Sequence, residues 1–451
     1  VTVATADVKR HFLKIGLIVL SLGLVLPRPG DGAPLGRRAA MENGLILLAA
    51  ERRTLPMVTV KILVKAGSYQ ESKDRAGLAN LTAALLPLGT AGRTALEISE
   101  TIEFVGGDLS TDASSNYSTL SLTVLKKDLD VGLELLADVL LHPAFREAEI
   151  ARKVRELKGR IRQKKEDPGT VAREAFAAAL FGDRPYGRPV EGTEESLDRI
   201  TRRDLIDFHR RYYVPNNSIV AVAGDVSLEE FRGYMAKYLG GWTPADIPVV
   251  NAETPGPLTG RQVIKIDRGV TQANIVWGHL GIARENPDYY AVSVMNFILG
   301  GGGLTSRLMR AIRQEKGWAY DVHSYFSARL FPGPFVVGLQ TKNDTAGPAI
   351  DEVLQQIRRI REDGVTPEEL EEAKGFLTGS FPLRIDTNQD VVSFLTAMEF
   401  YGLGMDYPQR YPEIIRAVTR EDVLEVARKY LHPDRGILVV VAQLDKADLS
   451  F

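Results

Sequence analysis

Residues 200–226 read ITRRDLIDFHRRYYVPNNSIVAVAGDV, and residues 418–444 read VTREDVLEVARKYLHPDRGILVVVAQL. The two stretches align without a gap at an offset of 218 residues: Thr201 meets Thr419, Asp204 meets Asp422, Tyr212 meets Tyr430 and Pro215 meets Pro433. In each copy a threonine suited to cap a helix precedes an amphipathic stretch, a proline breaks it, and an apolar run with strand character follows. Solenoid repeats recur every 20 to 50 residues or so, far short of this period. The chain is therefore one architecture written twice. Residues 243–260, rich in Pro, Gly and Thr, are the natural linker. They divide the chain into an N-terminal domain over 34–242 and a C-terminal domain over 261–451.

Within each half, residues 58–64, 118–125, 219–222, 274–279 and 335–339 read as short strands interleaved with amphipathic helices, a mixed α+β pattern. Phe145, Ile150, Val154, Leu157 and Ile161 recur at helical spacing among Lys, Arg and Glu, which predicts a helix with one packed and one solvated face. Alternation of Leu120, Leu122 and Val124 with Ser121 and Thr123 predicts a half-buried strand.

Composition narrows the function. With 56 Lys+Arg against 58 Asp+Glu and a net charge of -2, the chain offers no strong field to nucleic acid or an anionic membrane. It contains no cysteine, so disulfides, thiolate metal sites and Cys nucleophiles are excluded. The six histidines stand at 11, 142, 209, 279, 323 and 432, and no two form an i, i+4 pair. His142, His209, His279 and His323 read as packing or surface residues, and no G-x-S-x-G nucleophile elbow is present.

Near the start, Lys9, Arg10 and Lys14 precede the twelve-residue apolar run 15–26, and Pro27, Pro29, Gly30 and Gly32 follow, ending at Ala33. This order predicts a secretory signal over residues 1–33, with export to the periplasm; an uncleaved signal anchor is the alternative.

Residues 65–90 read KAGSYQESKDRAGLANLTAALLPLGT, and here the chain resembles the pitrilysin/insulinase zinc metallopeptidases, including mitochondrial processing peptidase. In that family a KAGS-like turn leads into a helix bearing H-x-x-E-H and then a Gly-Thr. Aligned on Gly89 and Thr90, the two histidines fall on Asn80 and Ala84 and the general-base glutamate on Ala83. The third ligand, a Glu in a helix ending before Asp-Pro, falls on Arg160 when aligned on Asp167 and Pro168. Two imidazoles one turn apart and a carboxylate are what a hydrolytic zinc site requires, and a guanidinium opposes a metal cation. The helix keeps its buried stripe of Leu78, Leu81 and Leu85 while every metal position is lost. The resemblance extends through residues 185–196 (PYGRPVEGTEES), 210–226 and 381–388 (FPLRIDTN). It implies two homologous domains, each a mostly antiparallel sheet with helices packed on it, together half of a peptidase clamshell.

Residues 300–320, GGGGLTSRLMRAIRQEKGWAY, are similar to the family's glycine-rich turn and its Arg/Tyr element, which fall on Arg313 and Tyr320. In the family this pair reaches a facing zinc centre, contacts substrate backbone and steadies the oxyanion. Arg313 in a surface ion pair and Tyr320 in half-buried packing is the plainer alternative. Gly301, Gly302 and Gly303 correspond to a substrate-gripping loop, and no Lys-Ser/Thr follows to make a phosphate cradle. Residues 106–124 occupy the place of the strand to which substrate adds, but the family's Asn-Ala-x-Thr has become Ser110, Thr111, Asp112 and Ala113.

The resemblance therefore implies a non-catalytic, peptide-binding subunit of a heteromeric zinc metallopeptidase. Zinc would be bound in an H-x-x-E-H-bearing partner and not by this chain, with Arg313 and Tyr320 lent to the partner's site. A homodimer is the other assembly considered. The rival function is a structural or peptide-binding protein without a proteolytic role, like core subunits of respiratory complexes.

Overall fold

In the computed structural model, residues 34–251 and 254–449 are described. The predicted signal segment, residues 1–33, lies outside them. The strands are β1 (Arg37–Ala40), β2 (Ile46–Glu51), β3 (Met57–Val64), β4 (Asp108–Ala113), β5 (Ser118–Leu125), β6 (Ser218–Gly224), β7 (Arg261–Asp267), β8 (Gln272–Leu280), β9 (Ala319–Phe326), β10 (Pro334–Lys342) and β11 (Gly436–Ala442).

The duplicated apolar runs become β6 and β11, in which every residue is buried. A strand apolar on both faces belongs in the middle of a sheet covered on both sides, and that is where both lie. The first sheet is ordered β1-β2-β6-β3-β5-β4 and the second β7-β11-β8-β10-β9. Without β1, the two orders are equivalent strand for strand. In each sheet one pair is parallel, β2 with β6 and β7 with β11, and the other pairs are antiparallel. Val222 stands opposite Val60 on one side and Ala49 on the other; Val440 stands opposite Ile275 and Lys265 in the same way. The mixed α+β class with two homologous, mostly antiparallel sheets is therefore observed.

The paired threonines cap paired helices. Thr201 accepts the Asp204 N–H at 3.2 Å while the Asp204 carboxylate takes the Thr201 N–H at 2.8 Å, and Thr419 with Asp422 repeats the arrangement at 3.1 and 2.8 Å. Each such reciprocal cap satisfies two amides that the first turn leaves open, and losing its hydroxyl costs about 1 kcal/mol.

Because side chains alternate along a strand, each sheet feeds two cores. In the first sheet Leu47, Ala49, Val220 and Val222 pack with helices of their own half, whereas Leu48, Ala50, Ile219 and Ala221 face the other way and share a core with Val391, Val392 and Leu395. Those three belong to the helix Asn388–Phe400, from the second half of the chain. Conversely Ala172, Phe176 and Leu180 of the helix Pro168–Phe181 share a core with Val276, Val336 and Val439 of the second sheet. The repeat offset brings Pro168 onto Asp386, so the two helices are counterparts exchanged between the halves. Burying one such Phe or Leu contributes about 1.5–3 kcal/mol, so the exchange ties the sheets together strongly.

The charged helix runs Glu147–Glu166 with Ile150 and Leu157 buried. Phe145 falls before it, at a φ of 44° that a bulky residue seldom adopts, with its ring 3% exposed in the core. Arg202 secures the bend by donating to the Phe145 and Ala144 carbonyls at 2.8 and 3.1 Å. Helical spacing alone would have continued the helix through it.

Candidate functional site

The helix Leu78–Leu85 begins at Gly77, whose φ of 95° gives the left-handed turn that aims the first amides backwards. They are met by Glu71. Its carboxylate accepts the Gly77 N–H at 2.9 Å and the Ala79 N–H at 2.5 Å, and the side chain is almost wholly enclosed. Burial pushes its pKa up to about 8, against the opposing pull of those two amides and of Arg188. Sequence reasoning missed Glu71; the available signal was an acid six residues before a glycine that opens a helix.

Leu78, Leu81 and Leu85 are buried as expected. Asn80 and Ala84 are half-buried and Ala83 is buried. Arg160 is exposed, on a helix packed against this one, and its guanidinium is committed to Glu156 at 2.5 Å. A carboxamide, two methyl groups and a paired cation do not fit a zinc ion. Among the described residues no three His, Asp or Glu side chains gather to offer an alternative.

The second element is built around two π-helical segments, Phe297–Gly301 and Met309–Glu315, a geometry that recurs at functional sites. Arg313 sits in the latter. A turn at Gly317, φ 64°, returns the chain so that Trp318 N–H donates to the Ile312 carbonyl at 3.0 Å, and β9 then starts with Ala319 and Tyr320. The Arg313 guanidinium carbon lies 4.7 Å from the centre of the Tyr320 ring. Tyr320 is 79% exposed. Among the described residues no carboxylate pairs with Arg313 and its side chain makes no hydrogen bond. Neither half of the plainer alternative, a surface ion pair and half-buried packing, describes this geometry. Stacking at an exposed site contributes about 0.5–1 kcal/mol, enough to orient the guanidinium while leaving its donors free.

The glycines precede it. Gly301 and Gly303 are exposed and Gly302 is half-buried. A Cβ on Gly302 would come within 2.8 Å of the Phe297 carbonyl oxygen, and Gly303 has a φ of 59°. The turn is fastened to the segment bearing Arg313, because Gln314 donates to the Leu304 carbonyl at 2.9 Å and Arg310 to that of Thr305 at 3.3 Å. Arg307 anchors the far side through a forked pair with Glu369, at 2.7 and 2.6 Å. The structure thus brings Gly301, Gly302 and Gly303 to the same element as Arg313 and Tyr320.

β4, carrying Ser110, Thr111, Asp112 and Ala113, is an edge of the first sheet and among the described residues pairs only with β5. Of the histidines, His209 is half-buried with its Nε2 2.8 Å from the Leu140 carbonyl oxygen, and desolvation lowers its pKa to about 4. His323 has a carboxylate neighbour that its reading as an isolated residue did not include: its Nδ1 lies 2.8 Å from Asp321 Oδ2. The two stand two apart on β9, and alternation puts them on one face.

Comparison with known proteins places the fold and the family. Residues 47–194 match the model of the insulinase family, peptidase family M16, and residues 199–377 match that of the peptidase M16 inactive domain. An uncharacterized zinc protease of Mycobacterium leprae is 30% identical, with 91% of this chain and 93% of that protein covered. One from Streptomyces coelicolor is 28% identical, covering 91% and 90%. The crystal structure of a peptidase M16 inactive domain from Pseudomonas fluorescens superposes with a TM-score of 0.85 at 30% identity, over 90% of this chain and 98% of that one. A protease from Helicobacter pylori shares the fold, with a TM-score of 0.84 at 21% identity over 90% and 99%. The inactive-domain match over residues 199–377 and the Pseudomonas fluorescens structure support a non-catalytic, peptidase-like protein. The chain belongs to the insulinase (M16) peptidase family, as a member without the family's metal-binding side chains.

Proposed function

We propose that the protein is the non-catalytic, substrate-binding subunit of a heteromeric zinc metallopeptidase acting on peptides. The zinc ion and its H-x-x-E-H helix belong to a partner chain of the same family. This chain contributes Arg313 and Tyr320 to the partner's site. The guanidinium donates to the backbone carbonyl next to the scissile bond and to the negative oxygen that develops there, and the Tyr320 hydroxyl supplies one more donor. Gly301, Gly302 and Gly303 present backbone groups that an extended peptide can approach closely. Export to the periplasm is part of the same proposal.

The observation that carries the reading is an arginine with no ion pair among the described residues, stacked on a tyrosine that is 79% exposed. The test is cleavage of a quenched fluorescent peptide library with added zinc, by the H-x-x-E-H partner alone and in an equimolar mixture with this chain. Activity in the mixture beyond that of the partner, lost on Arg313→Ala and reduced on Tyr320→Phe, is the expected result. Equal activity with and without this chain would assign it to binding or scaffolding.

A further inference from the structure

A cavity of about 430 Å³, lined by neither Arg313 nor Tyr320, opens between the helix Pro168–Phe181, the segment that follows Tyr186, and Arg329 from the connection between β9 and β10. Six charged side chains line it: Lys164, Arg173, Glu174, Arg188, Glu191 and Arg329. Lys164 is paired with Glu191. Arg173 lies 3.6 Å from Asp167 and donates to the Thr170 hydroxyl at 2.8 Å. Among the described residues Glu174 has no cation in ion-pair contact, and burial together with neighbouring Glu191 raises its pKa.

That leaves Arg188 and Arg329, neither of which has a carboxylate within ion-pair distance among the described residues. Arg188 spends one donor on the Glu71 carbonyl at 3.0 Å, while its Nε is buried with no acceptor. Arg329 is held in place by Ser327 and Ser115, at 3.0 and 3.1 Å, and lies 4.9 Å from the centre of the Tyr186 ring. Tyr186 is itself fixed, donating to Asn116 Oδ1 at 2.9 Å and accepting the Phe331 N–H at 3.3 Å. Two positioned guanidiniums, neither paired with a carboxylate among the described residues, form a wall whose mutual repulsion an anion relieves. The planar fork of a guanidinium matches a carboxylate in shape. Glu174 on the same wall disfavours a dianion such as phosphate.

We propose that this cavity holds a carboxylate of a bound peptide, taken between Arg188 and Arg329 over the Tyr186 ring. The volume falls within the 300–1,000 Å³ or so usual for ligand pockets, room for the end of a peptide. The proposal rests on the reading of the chain as a peptide-binding subunit and adds a carboxylate anchor to it, with Lys164 of its lining one helical turn after Arg160.

The experiment is fluorescence anisotropy with N-terminally labelled alanine-rich octapeptides in three forms: a free C-terminal acid, its carboxamide, and a carboxamide whose last residue is glutamate. The free acid is expected to bind about tenfold more tightly than the carboxamide, one to two kcal/mol or so for a charge-assisted pair. That preference disappears in Arg188→Gln and in Arg329→Gln and persists in Arg313→Ala. Thermal unfolding of both glutamine variants shows whether they remain folded, and Arg329 carries the test if Arg188→Gln does not. A glutamate-ending carboxamide as tight as the free acid assigns the carboxylate to a side chain; one as weak as the plain carboxamide assigns it to the chain end. Equal binding of acid and carboxamide overturns the anchor while leaving peptide binding intact. No binding of any form overturns both.

Discussion

Phe176, on a helix from the first half, presses against Gly278 in the second half's sheet so closely that a methyl group on Gly278 would come within 2.9 Å of the ring. The same methyl group would meet the Phe335 carbonyl oxygen at 2.1 Å, a contact that backbone cannot yield. Gly278→Ala is therefore expected to destabilise by more than about 2 kcal/mol, at the severe end of overpacking. Phe176→Ala should cost about 3–5 kcal/mol. Because each half covers a sheet of the other, urea should unfold both together. Fluorescence of Trp242, in the first half's core, and of Trp277, in the second's, would be followed in single-tryptophan variants. Coincident midpoints are expected; two separated transitions would mean that the exchanged helices do not couple the halves.

Stability should vary with pH in two opposed ways. His209 and His279 have pKa values lowered to about 4 by burial, so the unfolded chain binds more protons than the folded one below about 6.5. Their contribution is present above that value and is lost as pH falls toward 4. Glu71 behaves oppositely: its folded pKa of about 8 exceeds the usual carboxyl value, so its contribution is full below about 4.5 and is lost as pH rises through 8. Urea midpoints from pH 4 to 9 should therefore peak between these limits. Glu71→Gln should flatten the alkaline side. It should also cost about 1–3 kcal/mol at the optimum, because an amide nitrogen cannot accept the N–H that one carboxylate oxygen now takes. An unchanged alkaline slope would remove Glu71 as its source.

Tyr320→Phe should leave the midpoint of unfolding within about 0.5 kcal/mol of the parent, and Arg313→Ala within about 1 kcal/mol, since only an exposed stacking contact is lost. The same variants are expected to lower cleavage by the reconstituted pair. That combination, intact stability with impaired activity, separates a functional pair from a structural one. A loss of stability larger than this would place the two residues in the folding of β9.

The repeat, the strands and the capped helices were legible because each is local: alternation, helical periodicity and a Thr with an Asp three residues on are written in consecutive positions. The buried stripe of Leu78, Leu81 and Leu85 was legible for the same reason, and all three side chains are buried. What was not legible depends on distant parts of the chain meeting. Phe145 has helical spacing, yet it leaves the helix because Arg202, 57 residues on, takes its carbonyl. The exchange of helices between sheets, and the meeting of Arg188 with Arg329 in one cavity, leave no periodic trace. Glu71 stood in plain view as one more acid in a polar turn; only burial distinguishes it.

The metal positions give a final test that needs no partner. The helices carrying Asn80, Ala84 and Arg160 pack together, the arrangement that a zinc site at the positions implied by the family resemblance would require. A chelator should leave the melting temperature of the parent chain unchanged, and zinc titration should show no stoichiometric binding. Asn80→His, Ala84→His and Arg160→Glu combined restore two imidazoles one helical turn apart and an acid in place of a repelling cation. Since Asn80 and Ala84 are only half-buried and Arg160 is exposed, the variant should fold and bind one zinc, with the stabilisation that ligand linkage requires. It should remain unable to hydrolyse peptides, because Ala83 still stands where a carboxylate would take a proton from water, and its 1% exposure leaves little room for one. Stoichiometric zinc binding by the parent chain would instead show that a donor set exists outside these four positions.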